Sequence, residues 1–167
     1  MIERLARWWA LAGGLLLFAI MAVTTLNIAA FSADQVAALW GGNVYGLTGY
    51  EDFVTLAIAS CGLMFFPWCQ AQRGHVVVDV FTNHLPRSVR HALDRVWLLV
   101  ICALALFLAY WMVQGLVQVW NDDALTAILG WPVWPSFVPG IVSLLLWAVV
   151  AGHQAFEPSY GDGPRRV

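Results

Sequence analysis

Four long apolar runs, each without Asp, Glu, Lys or Arg, make up most of the chain. They extend from Trp8 to Ala33, Phe53 to Gln72, Val96 to Asn121 and Ala124 to Phe156. Each run can supply the roughly 20 apolar residues that cross a bilayer as a helix. The pattern predicts an all-α integral membrane protein, a single membrane domain over 1–167. Its transmembrane helices are placed near 8–31, 50–71, 92–119 and 133–155, with a cytoplasmic surface segment at 72–91.

Composition supports the membrane class. The chain is 61% hydrophobic and only 11% charged, with a mean hydropathy of +0.74, whereas about a quarter of the residues of a soluble domain are charged. Arg4 and Arg7 before the first run resemble the start of a signal peptide. Signal-peptide cores span only about 7–15 residues, so the first run is expected to be retained as a helix.

The basic residues predict an orientation. All eight are arginines, and they lie before the first helix, between helices two and three, and at the end of the chain: Arg4, Arg7, Arg73, Arg87, Arg90, Arg95, Arg165 and Arg166. The loops at 32–49 and 120–132 contain none. Because arginine-rich loops stay in the cytoplasm, both termini and the 72–91 segment are expected there. The net charge of −2 and the lack of a basic groove exclude nucleic acid as a partner.

Local signals predict where the helices begin. Thr48 and Glu51 have the spacing of a capping box for the second helix, and Ser32 and Gln35 repeat that spacing before a predicted short helix at 33–40. The prolines at 132, 135 and 139 cluster at the entry to the predicted fourth helix, where early-turn prolines cost least, although Pro139 is deep enough in the sequence to bend it.

The deeper tryptophans and the polar residues of the spans are predicted to serve helix packing rather than ligand binding. The tryptophans are Trp111 and Trp147. Packing is expected for them because buried indoles generally pack between helices. The polar residues are expected to form interhelical hydrogen bonds. They are Asn27, Ser60, Gln114, Gln118 and Ser143.

The segment between helices two and three is predicted to form two surface helices. From Val76, apolar residues recur at spacings of three and four as far as Leu85, which predicts an amphipathic helix in the headgroup plane. Pro86 ends it, and a second helix begins near Arg87 and runs into helix three. Arg87, Arg90 and Arg95 are predicted to contact lipid headgroups.

This segment also resembles a known family. The stretch QRGHVVVDVFTNHLP resembles the signature loop of the small membrane subunit, DctQ type, of tripartite ATP-independent periplasmic (TRAP) transporters. That family shows an Arg-Gly-His-like turn, a hydrophobic-Asp pair and a Leu-Pro pair, and a glutamate commonly opens its second helix. The matching residues here are predicted to form a structural motif or partner interface: Glu51, Arg73, Gly74, His75, Asp79 and Pro86.

The resemblance implies a non-catalytic subunit of the bacterial inner membrane. The family's small subunit packs against a large elevator-type membrane subunit, which imports organic acids with sodium, and a periplasmic substrate-binding protein delivers the substrate. No cofactor is expected in this chain, and sodium is expected in the large subunit. The spans agree with this role because their centres lack the charged residues that mark ion pathways.

Two other classes fit the sequence less well. A small four-helix subunit of a haem-bearing oxidoreductase needs iron ligands facing each other inside the bundle, but His75, His84 and His91 lie in the surface segment and only His153 approaches a helix. Cys61, Cys69 and Cys102 form no CxxC pair, so no metal site is predicted. A multidrug exporter needs an acidic residue within the membrane, and the four apolar runs contain none.

Overall fold

A computed structural model describes residues 2–42, 46–72 and 87–156; the side chains at 87, 88, 90 and 91 are outside this description. Its helices are α1 (Ile2–Ala38), α2 (Tyr50–Met64), α3 (Phe66–Ala71), α4 (Arg87–Asn121) and α5 (Phe137–Phe156), and a 3-10 turn (Trp134–Ser136) leads into α5. These ranges contain no β-strand. Four of their helical stretches are long and apolar enough to span a membrane, which confirms the predicted all-α, four-span class.

The second span is interrupted near one end. Helices α2 and α3 are separated by the single residue Phe65, and Pro67 occupies the first turn of α3. Proline has no N–H to donate, and its ring clashes with the carbonyl four residues earlier, so a helix kinks or breaks near it. The remaining six residues of α3 form a separate short helix, which packs against α1 and α5.

Helix α5 is the central helix of the bundle. It packs against α4 on one side and against α2 and α3 on the other, while α1 packs mainly on α2 and α3. Its small and apolar residues are buried along much of its length, and Trp147 is only 8% exposed. Helix α4 packs chiefly against α5, through Leu98, Ala105 and Ala109. The side of α4 turned away from α5 therefore lies on the outside of the molecule.

Small residues allow the close approach of α1 and α2. A methyl group added at Gly13 would lie 2.9 Å from Cβ of Met64, and the Cys61 thiol donates to the Gly13 carbonyl at 3.2 Å. Close backbone approach at small residues is a common way for membrane helices to gain packing energy, since lipid offers no hydrophobic driving force between them.

Two local predictions are wrong. The expected short helix at 33–40 is instead the continuation of α1 as far as Ala38, because the Ser32 hydroxyl donates to the Ile28 carbonyl, 2.9 Å away, within an unbroken helix. The expected capping box is absent as well. Gly49, with φ 87°, precedes Tyr50 at the start of α2, and no side chain caps this helix.

Other local predictions are confirmed. A helix begins at Arg87 and continues through the third span, and Pro139 lies in the first turn of α5. Trp147 is buried as predicted, whereas Trp111 is 58% exposed, and its ring contacts those of Phe107 and Tyr110 on the same helix. The predicted surface helix before Pro86 lies outside the described residues.

Candidate interaction sites

An aspartate that the sequence patterns did not single out connects two distant parts of the chain. Asp52, in the first turn of α2, is buried at 9% exposure. Its Oδ2 accepts hydrogen bonds from the backbone N–H groups of Ile128 and Leu129, at 2.9 and 2.7 Å. A carboxylate in the first turn is also favoured by the positive end of the helix dipole. Asp52 thus attaches the loop between α4 and α5 to the start of α2.

The chain that precedes α2 is attached at two further points. The Asn27 side chain, fully buried on α1, accepts the Leu47 N–H through its Oδ1 at 2.8 Å. A methyl group at Gly49 would lie 2.5 Å from Cγ of Leu129. These contacts hold the approach to α2 between α1 and the α4–α5 loop, at the same end of the bundle as Asp52.

A second polar cluster, which we call the glutamine clasp, consists of Gln70, Gln154 and Trp147. Gln70 Nε2 donates to Gln154 Oε1 at 2.9 Å, and Gln154 Nε2 returns a bond to the Gln70 carbonyl at 3.1 Å. Trp147 Nε1 donates to Gln70 Oε1 at 3.3 Å. All three residues are buried. The clasp fixes the end of α3 against α5 and gives a donor to a carbonyl in the last turn of α3.

The serines of the spans also join helices. The Ser143 hydroxyl donates to the Pro139 carbonyl at 2.6 Å and accepts the Trp9 Nε1–H group at 2.8 Å, which connects α5 to α1. The Ser60 hydroxyl donates to the Ser136 carbonyl at 2.5 Å. The predicted interhelical bond is thus confirmed for Ser143, whereas Ser60 joins α2 to the 3-10 turn and Asn27 joins α1 to the segment before α2.

The outward surfaces of α1 and α4 differ in chemistry. The exposed face of α1 is almost wholly apolar in its central part, with Leu11, Leu15 and Phe18 among its residues. Four exposed side chains of α4 that carry an amide or a phenol group follow one another at spacings of four, four and three residues: Tyr110, Gln114, Gln118 and Asn121. We call these four residues the polar stripe of α4.

The comparison with known families supplies the identity of the chain. The model of the family described as "Tripartite ATP-independent periplasmic transporters, DctQ component" matches residues 43–159. The chain belongs to this family. No curated protein and no solved structure matches it. The predicted family resemblance is thereby confirmed over more than two thirds of the chain.

The structure describes only some of the residues predicted for this DctQ component's motif. Glu51 is exposed as the second residue of α2, and Arg95 is exposed on α4. Arg87 and Arg90 lie at the start of α4, but their side chains are not described. Arg73, Gly74, His75, Asp79 and Pro86 lie outside the described residues. The partner and headgroup roles of all these residues therefore stay predictions.

Residue patterns missed the groups that organise the two ends of this DctQ component. The capping-box spacing points to Glu51, whereas its neighbour Asp52 is the carboxylate that accepts hydrogen bonds from the α4–α5 loop. Gln70 and Gln154 carry no charge and lie 84 positions apart, so no local spacing relates them. Within the described ranges, no group of three His, Cys, Asp or Glu residues is placed to hold a metal ion.

Proposed function

We propose that this chain is the non-catalytic small membrane subunit of a TRAP-type secondary transporter, in which it extends and stabilises the scaffold of a large elevator-type subunit. The large subunit imports organic acids together with sodium, and a periplasmic protein delivers the substrate. The chain resides in the bacterial inner membrane with both termini in the cytoplasm. The family match over residues 43–159 is the observation that carries this proposal.

The way the polar groups are used supports a scaffold role. Asp52 binds backbone N–H groups, and the amides of Gln70 and Gln154 bind each other. Transport sites need polar or charged groups that are free to exchange partners with an ion or a substrate. Among the described residues, the Asn27 Nδ2 group is buried without a hydrogen-bond partner, but Asp52, Ser60, Gln70, Ser143 and Gln154 are engaged in holding helices and loops together.

The test is reconstitution with and without the partner. Proteoliposomes containing both membrane subunits, supplied with the binding protein, are expected to accumulate organic acid in response to a sodium gradient. Liposomes containing this chain alone are expected to accumulate none. Uptake by the isolated chain would contradict the scaffold role, and full uptake by the large subunit without this chain would show that the small subunit is dispensable.

The motif between helices two and three is proposed to dock on the large subunit. Asp79 is proposed to pair with Arg73, His75 or a basic group of the partner, and a shielded, charge-assisted hydrogen bond of this kind contributes about 1.5–3 kcal/mol. Asp79→Ala and Arg73→Ala should reduce recovery of the large subunit during affinity purification. Arg87→Ala and Arg90→Ala are the matched controls and should change it little. Equal recovery with all four variants would contradict docking through this motif.

A further inference from the structure

We propose that the polar stripe of α4 is the surface through which this chain packs against a membrane helix of the large subunit, and that the apolar outward face of α1 contacts lipid. The proposal rests on the proposed function, because it assigns the contact face within that complex. The partner helix is one that presents hydrogen-bonding side chains to Tyr110, Gln114 and Gln118.

The first argument is the direction in which the stripe points. On a helix with 3.6 residues per turn, Gln114 and Gln118 lie opposite Ala105 and Ala109, which are buried against α5. Both glutamines are exposed, and neither side chain forms a hydrogen bond to any part of the chain that the structure describes. The stripe is therefore available to another molecule.

The second argument is depth. Arg95 and Asp122 bound the uncharged part of α4 and are about 40 Å apart along the helix axis. When a hydrocarbon core of about 30 Å is centred between them, Gln114 lies roughly 7 Å inside it and Tyr110 lies deeper still. Gln118 lies near the boundary. Part of the stripe is thus within the region that contains no water.

The third argument is the cost of leaving these groups in lipid. An amide transferred to an apolar medium without a hydrogen-bond partner is strongly disfavoured, and lipid chains offer no donor or acceptor. Polar side chains in membrane spans accordingly tend to meet other helices. The outward face of α1 has no such requirement at Leu11, Leu15 and Phe18, which suit lipid. Protein contact is therefore favoured on α4 and lipid contact on α1.

Family membership indicates which molecule contacts the polar stripe of α4. The matched family is a component of a tripartite transporter, so a second membrane subunit is the partner proposed above. A second copy of this chain offers glutamines of its own, and the experiment separates the two occupants.

Photo-crosslinking in membranes tests the assignment. The photoreactive residue p-benzoylphenylalanine replaces Gln114 or Gln118, and Leu15 or Phe18 as controls, in this chain co-expressed with its epitope-tagged large subunit. Adducts to the large subunit are expected from α4 and not from α1. Adducts from α1 alone would overturn the surface assignment while leaving the proposed function intact. Adducts between two copies of this chain through α4 would overturn the choice of occupant.

Substitution supplies an independent readout. Gln114→Leu combined with Gln118→Leu should lower the affinity for the large subunit about sevenfold, as expected for the loss of two interhelical hydrogen bonds in a membrane. Thermal unfolding of the isolated chain should not change, since both side chains are exposed. Thr25→Val, an exposed polar-to-apolar change on α1, is the control and should leave the affinity unchanged. Unchanged affinity of the glutamine double variant would overturn the proposal. Failure of the wild-type chain to bind the large subunit would instead overturn the proposed function.

Discussion

The two ends of the bundle are fastened by different polar chemistry. Where α2 begins, the Asp52 carboxylate accepts two backbone N–H groups from the α4–α5 loop. Where α3 ends, the Gln70 side chain donates a hydrogen bond to the Gln154 side chain, and the Gln154 side chain donates one to the backbone carbonyl of Gln70. A carboxylate offers only acceptors, whereas an amide offers both a donor and an acceptor. Each end thus uses a side chain that complements the backbone groups it meets, which are N–H donors at the start of α2 and a carbonyl at the end of α3.

The comparison shows that the charged side chain is used at the end of the bundle where backbone N–H donors compensate its negative charge. Asp52 lies at the start of a helix and faces N–H donors, so its negative charge is favoured there. The glutamine clasp joins buried surfaces of α3 and α5 with neutral groups, which avoids the larger penalty of a buried charge. Substitutions at the two ends test these contacts, and they are given from the largest expected effect to the smallest.

Gln70→Leu should lower the free energy of unfolding by about 3 kcal/mol, because it leaves the Trp147 N–H and the Gln154 Oε1 without their bonds to Gln70. Thermal unfolding in detergent, followed by circular dichroism, measures the loss. Gln35→Leu, at an exposed position of α1, is the control. The double variant with Gln154→Leu should cost less than the sum of the single changes. Additive costs would show that the two amides do not act as a unit.

Gly49→Ala should destabilise the protein by about 2 kcal/mol, since it adds strain at φ 87° to a clash with the Leu129 side chain. Gly41→Ala is the matched control. Gly41 also has a positive φ, of 75°, but nothing lies within 4 Å of the added methyl group. Its cost should be about 1 kcal/mol, from backbone strain alone. Equal costs for the two variants would show that the contact between Gly49 and the loop is unimportant.

Asp52→Ala should act locally by releasing the α4–α5 loop. Hydrogen exchange at the Ile128 and Leu129 amides should accelerate roughly tenfold, because these N–H groups lose their acceptor. Asp52→Asn keeps one carbonyl oxygen and should give an intermediate rate. Glu51→Ala, at the exposed neighbouring position, should leave both amides protected. Protection that survives in Asp52→Ala would mean that other contacts hold the loop.

Thr48→Ala should have the smallest effect, within about 0.5 kcal/mol in thermal unfolding, because no side chain caps α2. A genuine N-cap threonine typically contributes about 1 kcal/mol. A loss of that size would indicate that Thr48 does cap α2 and that the helix starts at a different residue.

The sequence by itself determined the class of the protein and the number of its spans. Runs of about 20 uncharged apolar residues permit little except membrane helices, since every backbone group must find its partner within the segment. It also determined the family, because the motif between helices two and three has a recognisable order of residue types. The prediction of an interhelical hydrogen bond at Ser143 followed from the preference of polar side chains in membrane spans for partners on other helices.

Only the tertiary structure decided which polar residue meets which partner. Asp52 and Leu129 are 77 positions apart, so their contact depends on how the ends of α2 and α4 come together and not on local spacing. Gln114 and Gln118, like the other polar residues of the spans, were predicted to form interhelical hydrogen bonds. Both instead lie on the exposed face of α4. Helical periodicity tells which residues share a face, but the packing of α4 on α5 decides which face is covered.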